Sequence, residues 1–462
     1  MKKIPFLFAL LLLPAGLAAQ NPTACFMEGS TFRTQFNPAF APVRGYVNLP
    51  VAGALNVSMG NTVALDDFFF RHGSAYVTLL DPAVSASEAL RGIRDRNTLS
   101  ADVRMNVVGF GKYTSNGKRF WSVDINVRAD AEFSLPGSMV RFVKQGHDGA
   151  IRDLGFSFDS YLDAGFGYSF PLLGDKLYVG AKAKFIVGLA RMKFNYDRID
   201  VALQEERWAV EAEGTLDAHL PGFEIGSHDD GDRRPYYDLT ALDLSARRFA
   251  PAGYGFAVDL GAVYEILPDL KASLAVVDLG FIGWARSASV RGRSSFAEEY
   301  TGIVVENGET LSSPDFSLDD LTRFERIDGA SSTRMLSATM NVGAEYALWR
   351  HRVVFGLLYQ SRFRDYRTLH SLTASANFSP VGWCTLTGSY TVGSCGGSLG
   401  LALNLCPGWI NFFLATDILT GRLSSQYVPV TRRTAHVTFG LGFPLGRRGL
   451  RLREYAGAAV RR

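Results

Sequence analysis

The stretch GGSLG at residues 396 to 400 matches the G-x-S-x-G pattern around the nucleophile of many serine hydrolases. That chemistry needs a sharp turn from a strand into a helix, whereas Ser398 opens an alternating, strand-like stretch. The seven histidines are scattered without the spacing of metal ligands. Spacing brings no nucleophile, base and orienting group together, so we expect no enzyme activity, no metal site and no cofactor.

Three cysteines raise the question of a disulfide. Cys384, Cys395 and Cys406 are spaced eleven residues apart, so a hairpin centred on Cys395 would place Cys384 opposite Cys406. An oxidising compartment permits a disulfide between them. The same register puts Leu386 on the face of Asn404, while the leucines of the second strand take the other face. Either the faces of the first strand are mixed, or a bulge shifts the pairing, and the Cys384–Cys406 disulfide stays a possibility.

Polar side chains recur at every second position of several long apolar stretches. The segments FWSVDINVRADAEF, residues 120 to 133, and KLYVGAKAKFIVGL, residues 176 to 189, both alternate in this way. A period of two is typical of a β-strand with one polar and one apolar face. We expect these polar side chains and two from later strands to face the lumen of a barrel: Asp124, Asn126, Arg128, Asp130, Glu132, Lys182, Lys184, Asp259 and Glu345.

The length of these stretches indicates a bilayer. A transmembrane β-strand needs about 9 to 11 residues with an apolar face toward lipid, and a soluble β-sandwich is the alternative. Short turns such as TSNGK, PLLGD and CPG alternate with mostly long loops, as in bacterial outer-membrane barrels. We predict an all-β fold, a single antiparallel transmembrane barrel of about fourteen strands with long extracellular loops. The strands are expected near 45–59, 102–113, 119–133, 159–170, 176–193, 253–266, 270–284, 333–347, 352–362, 367–378, 382–392, 398–405, 409–418 and 435–445, and residues 196–216 could hold an extra hairpin at the outer rim.

The first residues set the compartment. Residues 1–19 combine two lysines, an apolar run and small residues at a cleavage spacing, which is typical of a secretory signal peptide that is removed. Residues 45–446 form the predicted barrel, and residues 447–462 form a basic periplasmic tail. Localisation in a bacterial outer membrane follows.

Residues 20–44 lie between the leader and the first strand and are too polar to face lipid. A barrel of fourteen strands leaves a lumen that its own side chains do not fill. We expect this segment to act as a plug, with Arg33, Gln35 and Asn37 bonded to Asp124, Asp130 or Glu132 and with Pro38 and Ala39 as its rigid point.

The plug segment carries a resemblance. Asn37, Pro38 and Ala39 in QFNPAF resemble the NPA motif in the hatch of FadL-type fatty-acid transporters and of the related PorV-type barrels of Bacteroidetes. The stretches FMEGSTFRTQFNPAFAPVRGYVNLP and GFGKYTSNGKRFWSVDINVRADAEFSLP more closely resemble a Bacteroidetes outer-membrane barrel family known as a domain of unknown function. The resemblance implies a fourteen-stranded barrel with a hatch. Residues 119–133 contain neither Gly nor Pro, a departure from the kinked third strand through which FadL-type barrels open sideways.

Two functions follow as expectations. The first is a FadL-like uptake channel for small hydrophobic or amphipathic solutes. The alternative is a non-transport interaction protein that, like PorV-type barrels, serves a secretion or surface assembly. The expected partners are outer-membrane lipid, a small hydrophobic solute and a periplasmic or surface protein. The formal net charge of +3 gives no sign of a nucleic-acid partner.

Overall fold

Fourteen antiparallel strands form a closed barrel in the computed structural model, which describes residues 22–48, 53–63, 67–72, 75–146, 149–203, 208–221, 224–228, 235–243, 250–300, 305–306, 309–310, 322–417, 434–446 and 449. The strands are β1 (Gly45–Asn48 and Ala54–Asn61), β2 (Arg96–Tyr113), β3 (Phe120–Pro136), β4 (Leu154–Leu172), β5 (Leu177–Leu203), β6 (Gly253–Leu267), β7 (Leu270–Trp284), β8 (Ser332–Met335 and Thr339–Leu348), β9 (Val353–Arg362), β10 (Leu369–Val381), β11 (Cys384–Gly393), β12 (Gly396–Leu405), β13 (Asn411–Thr416) and β14 (Thr434–Leu445). The predicted fold class is confirmed.

The first and last strands close the barrel. Gly45 of β1 lies opposite Leu445 of β14, and Leu55 lies opposite Phe439. On its other side β1 pairs with β2, and every later strand pairs with its neighbour in the chain. Because the barrel is closed, neither the first nor the last strand leaves its backbone N–H and C=O groups unpaired at a sheet edge. A sheet that crosses lipid needs this, since lipid offers no hydrogen-bond partner.

The two faces of the wall differ as the alternation predicts. On β12, Leu399 and Leu401 are 40% and 53% exposed, whereas Ser398 and Asn404 are each 2% exposed. Phe166, Phe185 and Phe256 on β4, β5 and β6 are about half exposed on the same outer face. An apolar outside around a polar inside is the pattern of a membrane barrel. Among the described residues, no helix is long and apolar enough to cross a membrane.

Short turns join the strands at one end of the barrel, here called the turn end. At the opposite loop end, β5 continues to Leu203 and forms a hairpin with the strand Trp208–His219, as the sequence suggested for residues 196–216. That strand pairs with Ser289–Tyr300, which in turn pairs with Arg323–Ile327. Further strands outside the barrel wall are Phe69–His72, Ala75–Thr78, Gly149–Ile151, Glu224–His228, Tyr236–Asp243, Val305–Glu306 and Glu309–Thr310. The short helices within the described residues are Pro22–Ala24, Thr31–Gln35, Ala86–Ala89, Gly137–Gln145 and Arg286–Ala288.

The extension at the loop end has its own apolar core, which includes Met192, Tyr196, Leu216 and Phe324. Packing on both faces weakens the alternation that marks lipid-facing strands, so the prediction ended β5 near residue 193. The predicted single strands 45–59 and 333–347 are each in two parts. The predicted signal peptide and nearly all of the tail at 447–462 lie outside the described residues.

The hairpin of β11 and β12 corrects the disulfide prediction. Cys384 lies opposite Leu405 rather than Cys406, and the amide of Cys406 donates to the carbonyl of Trp383 at 2.7 Å. A shift of one residue moves a side chain to the other face of a strand. Cys384 and Cys406 therefore point to opposite faces, and the predicted register and its disulfide are wrong.

The observed register also removes the conflict of faces in that hairpin. Leu386 lies opposite Leu403, and Tyr390 lies opposite Leu399, so the apolar side chains of both strands share the outer face. The last strand pair before the turn is Gly393 and Gly396, and Gly396 has a φ of +97°. Since glycine adopts that conformation readily, a two-residue turn replaces the turn centred on Cys395.

Candidate functional site in the barrel lumen

Residues 22–44, here called the N-terminal segment, lie against the inner surface of the barrel. Two short 3-10 turns order its first half, and the Ser30 hydroxyl caps the second turn by accepting from the Phe32 amide at 3.1 Å. Phe26, Phe32 and Phe36 are at most 3% exposed. They form one cluster with Leu358 and other residues of the wall, so the segment packs inside the barrel and not beside it.

Asn37 has the most bonds of the predicted NPA triplet. Its Nδ2 donates to the carbonyls of Ala262 on β6 and Leu274 on β7, at 3.1 and 3.3 Å, and its Oδ1 accepts from the amide of Ala39 at 2.8 Å. Pro38 follows at a contact with Gly180 of β5, where an added β-carbon would lie 2.3 Å from the Pro38 carbonyl. The triplet thus fixes the backbone of the segment against three neighbouring strands.

Arg33 pairs with a different wall residue from those predicted. Its Nη2 lies 3.5 Å from Oε2 of Glu345 on β8, and Lys271 of β7 approaches the same carboxylate at 3.7 Å. Its guanidinium also lies 4.3 Å from the ring centre of Phe40. The predicted partners pair with other cations instead: Asp124 with Lys182, Asp130 with Arg362 and Glu132 with Arg364.

Glycines on the inner face of the wall receive side chains of the N-terminal segment. An added β-carbon at Gly356 or Gly343 would lie 2.2 or 2.9 Å from the Phe26 ring, and one at Gly440 would lie 2.6 Å from the Phe32 ring. These glycines were not among the predicted site residues. The alternation could have identified them, because they lie at inward positions of the strands. A glycine there has no side chain and leaves a hollow in the wall.

A second set of contacts crosses the middle of the lumen. Nζ of Lys184 lies 2.6 Å from Asp259 and 2.5 Å from Asp278, and Arg128 lies 2.8 Å from Asp278 and 2.6 Å from Asp163. Lys184, Arg128 and Asp259 were predicted to face the lumen, whereas Asp278 was not. That residue is the extra one in a bulge between β6 and β7, with a φ of +62°, and a bulge breaks the period of two.

Nearer the turn end, Lys182 of β5 pairs with Asp124 of β3. The Tyr46 hydroxyl donates to the same carboxylate at 3.2 Å, and Asn126 Nδ2 donates to Asp163 at 2.8 Å. Four cations and four carboxylates make up this middle layer: Arg104, Arg128, Lys182, Lys184, Asp124, Asp163, Asp259 and Asp278. The layer is balanced in charge, as buried ions must be.

Arginines at the end of β9 reach across the lumen at the loop end. Arg362 donates both terminal nitrogens to Asp102 of β2, at 3.0 and 2.9 Å, and lies 2.8 Å from Asp130 of β3. Arg364 donates to the same Asp102 at 2.9 Å and lies 3.7 Å from Glu132. These residues, here called the arginine clasp, fold the start of the loop after β9 inward. Neither arginine was predicted. Arg364 lies in the loop, which has no alternation, whereas Arg362 is the last residue of β9, at an inward position that the alternation could have identified.

Two small cavities border the charged side chains of the lumen. A cavity beside Gln35 and Asp124 measures about 10 Å³, and so does one beside Asp130 and Arg334. Each is about the space that one water molecule needs. In the described part of the chain, the lumen is therefore occupied at three levels, by the segment, the middle layer and the arginine clasp.

Residues 38–417 match the model of a family of unknown function, DUF5723. The chain belongs to this family. A search of curated proteins finds no match to this DUF5723 member.

Solved barrels resemble this DUF5723 member at low sequence identity. The Ralstonia pickettii toluene transporter TbuX is 11% identical, with a TM-score of 0.43 over 94% of this chain and 99% of that one. The CymD monoaromatic hydrocarbon channel is 8% identical, with a TM-score of 0.40 over 94% and 99%. The Pseudomonas putida toluene transporter TodX is 9% identical, with a TM-score of 0.36 over 93% and 94%.

The third strand of this DUF5723 member is regular. From Phe120 to Ser134, β3 pairs with β4 without a register shift, and its pairing with β2 has one bulge, between Asn106 and Val108. A continuous ladder leaves no gap in the wall at this strand. The sequence indicated that the third strand lacks the kink of FadL-type barrels, and β3 is regular in the structure.

Proposed function

We propose that this protein is an outer-membrane channel for the uptake of small hydrophobic or amphipathic solutes, and that the N-terminal segment is its hatch. The observation that carries this proposal is the position of residues 22–44 inside a fourteen-stranded wall. A barrel of that size has a lumen wider than its own side chains fill. A separate segment inside it is an element that can close a path and, by moving, open it.

The contacts of the segment are ones that can be made and broken, as a hatch requires. Thr23 bonds to Ser389 and Asp417, and Asn37 bonds to two carbonyls. Asn341, Asn411 and Tyr113 of the wall donate to the carbonyls of Phe36, Gly29 and Pro42, and Arg33 pairs with Glu345. Phenylalanine rings also pack on glycines and small side chains of the wall. Each hydrogen bond contributes about 0.5 to 1.5 kcal/mol, so release of the segment needs a ligand or partner that offsets their sum.

The chemistry of the wall beneath the segment supports an apolar solute. Where Phe26 and Phe32 lie, the wall offers Val263, Leu358 and Phe413 together with the glycine hollows. Those hollows already hold aromatic rings. When the segment leaves, the exposed wall is apolar and has ring-sized recesses, which suits a small aromatic or aliphatic solute better than an ion.

The outer face supports placement in the outer membrane. Trp349, Trp383 and Trp409 lie on three successive turns of the turn end and are 75%, 50% and 72% exposed. Tryptophan at the ends of spanning strands is typical of the membrane interface. In this proposal the turn end faces the periplasm, and the extension with the Phe324 core faces outward.

One observation favours a second function, that of an interaction protein without transport. The middle layer is charge-balanced and fully buried, so it closes the lumen even where the N-terminal segment does not reach. A barrel that is closed at several levels can serve as a scaffold for a periplasmic or surface assembly. Stoichiometric partners that co-purify from native membranes would favour this function.

Two matched variants test the hatch. Gly356→Leu places a side chain where the Phe26 ring lies, whereas Gly388→Leu adds one at a glycine whose β-carbon meets nothing within 4 Å. We expect Gly356→Leu, and removal of residues 20–44, to raise conductance in planar bilayers and the entry of the apolar dye 1-N-phenylnaphthylamine into cells. Gly388→Leu should match the wild type. If neither altered protein conducts nor admits the dye although both fold, the channel proposal is wrong.

A further inference from the structure

Arg104 of β2 is the one member of the middle layer for which no ion pair is found among the described residues. Its side chain faces the lumen, and the residue is 7% exposed. Directly opposite on β3 lies another cation, Arg128, whose guanidinium already pairs with Asp163 and Asp278. Nε of Arg104 is buried and finds no hydrogen-bond acceptor in the described part of the chain.

The guanidinium of Arg104 borders the small cavity between the wall and the N-terminal segment. That cavity measures about 10 Å³ and lies under the second 3-10 turn of the segment. Its lining is almost wholly polar: Thr31, Phe32, Thr34, Gln35, Tyr46, Asn48, Ala54, Arg104, Asn106, Asp124, Asn126 and Lys182.

The charges around the cavity do not balance. Arg104 and Lys182 are its cations, and Asp124 is its only carboxylate. That carboxylate is already taken, since it pairs with Lys182 and accepts the hydroxyl of Tyr46. The other carboxylates of the middle layer, Asp163, Asp259 and Asp278, pair with Arg128 and Lys184. A buried guanidinium that makes no ion pair of its own is costly even in a layer of balanced charge, because desolvation of a charge has to be offset by a direct partner.

We propose that this cavity binds a small monovalent anion, chloride being the reference, as the counter-ion of Arg104. Its donors come from both sides, with Arg104 and Lys182 from the wall and the side-chain amide of Gln35 and the hydroxyl of Thr31 from the segment. The Thr34 hydroxyl already donates to the Thr31 carbonyl. The anion therefore joins the wall to the N-terminal segment. The cavity has space for an ion about the size of a water molecule, and it excludes sulfate and gluconate by size.

This site does not depend on the proposed function, since the anion would bind whether the barrel transports solutes or serves as a scaffold. Its consequence is that halide stabilises the closed arrangement of segment and wall, because a ligand that binds only the folded state raises its stability. Chloride would then hold the segment in place.

Thermal unfolding in detergent tests the site, with sodium chloride compared against sodium gluconate at equal ionic strength. We expect the wild type to unfold at a higher temperature in chloride, Arg104→Gln to lose that difference, and Arg104→Lys to keep part of it. The control Arg44→Gln changes an exposed arginine that donates to the carbonyls of Gly446 and Gly408, and it should keep the full difference.

Crystals of the wild type grown in sodium bromide give a test that needs no variant. An anomalous peak beside Arg104 Nε is the expected result. Equal unfolding temperatures in chloride and gluconate, or a water molecule without anomalous signal in the cavity, would overturn the proposal. So would an undiminished chloride effect in a folded Arg104→Gln protein.

Discussion

A β-carbon at position 356 would lie 2.2 Å from Cδ2 of Phe26, so the Phe26 ring occupies the space that any other residue at position 356 would need. Gly356 belongs to the wall and Phe26 to the N-terminal segment. Because position 356 has no side chain, the wall has space there for the Phe26 ring of the segment. It also gives the first prediction.

Gly356→Ala should destabilise the barrel by about 1 to 3 kcal/mol, the usual cost of overpacking a close-packed interior. Gly388→Ala on β11 should change the stability by less than about 0.5 kcal/mol, since its β-carbon meets nothing. Urea unfolding followed by the mobility of the folded barrel on unheated gels measures both. Equal stabilities for the two variants would mean that the Phe26 ring shifts without cost.

Asn37→Ala removes three hydrogen bonds, two to wall carbonyls and one to the Ala39 amide. Each buried group that loses its partner destabilises the closed arrangement by about 1 to 3 kcal/mol. We therefore expect the Asn37→Ala channel to open more often than the wild type in single-channel records. Asn37→Asp keeps the bond to Ala39 but sets a carboxylate against two carbonyls, and it should open at least as often. The comparison Asn411→Ala removes one bond, to the Gly29 carbonyl, and should have a smaller effect.

Arg364→Gln should weaken the arginine clasp. Its side chain is 3% exposed and pairs with Asp102 and Glu132, which are equally buried. Loss of one partner of a buried ion pair costs about 3 to 5 kcal/mol, because the other charge stays buried. We expect lower stability and a larger conductance in a protein that also lacks residues 20–44. Arg367→Gln, in the same loop, should leave both unchanged, and a loss of equal size there would argue against the clasp.

Cys25 should make stability fall at alkaline pH. Burial raises the pKa of its thiol well above the ordinary value, against the opposing effect of Arg33. A group whose pKa is higher in the folded state favours folding at low pH. This contribution is lost as pH rises above about 8.5, where the thiol of the unfolded chain ionises. Cys25→Ala should show a weaker decline in unfolding temperature between neutral and alkaline pH than the wild type, and an equal decline would contradict the prediction.

The same thiol should resist alkylation in the folded protein. Cys25 is 1% exposed, and only a thiolate reacts at a useful rate. We expect maleimide to modify Cys25 only after unfolding. Rapid modification of the native protein would show that the N-terminal segment leaves the lumen spontaneously.

The register of β11 and β12 predicts which cysteine pair can be linked. The bond from the Cys406 amide to the Trp383 carbonyl makes Cys384 and Leu405 a non-hydrogen-bonded pair, whose α-carbons approach to about 4.5 Å. Leu405→Cys should therefore form a disulfide with Cys384 under oxidant, visible as altered mobility on nonreducing gels. The wild type should show no such change, and a Cys384–Cys406 link would contradict the register.

Much of the fold could be predicted from the sequence, because one physical constraint acts on every spanning strand. Lipid outside and polar contacts inside force a period of two, and Trp121 to Phe133 keep it without a break. The bulge at Asp278 and the packed extension around Phe324 could not be predicted in this way, since neither keeps the period. Prediction was weakest where the two faces of a strand no longer differ in polarity.

In the candidate site, the inward residues could be predicted from the sequence, whereas their partners could not. Alternation identified Asp124, Lys184 and Glu345 as inward residues, and the NPA triplet identified Asn37 as an anchor. The partners of these residues could not be predicted in this way, because they are far apart in the sequence. Arg362 bonds to Asp102, 260 residues away, and Arg128 bonds to Asp278, 150 residues away. The strand stagger of a closed barrel decides such contacts, and a linear sequence does not contain it.

The sequence by itself determined the barrel, its number of strands and the polarity of each face, because these depend on neighbours two residues apart. Only the tertiary structure decided which charges pair across the lumen, that Cys384 faces away from Cys406, and that Gly356 holds the Phe26 ring. Those relations depend on register and closure, and one residue of shift reverses them.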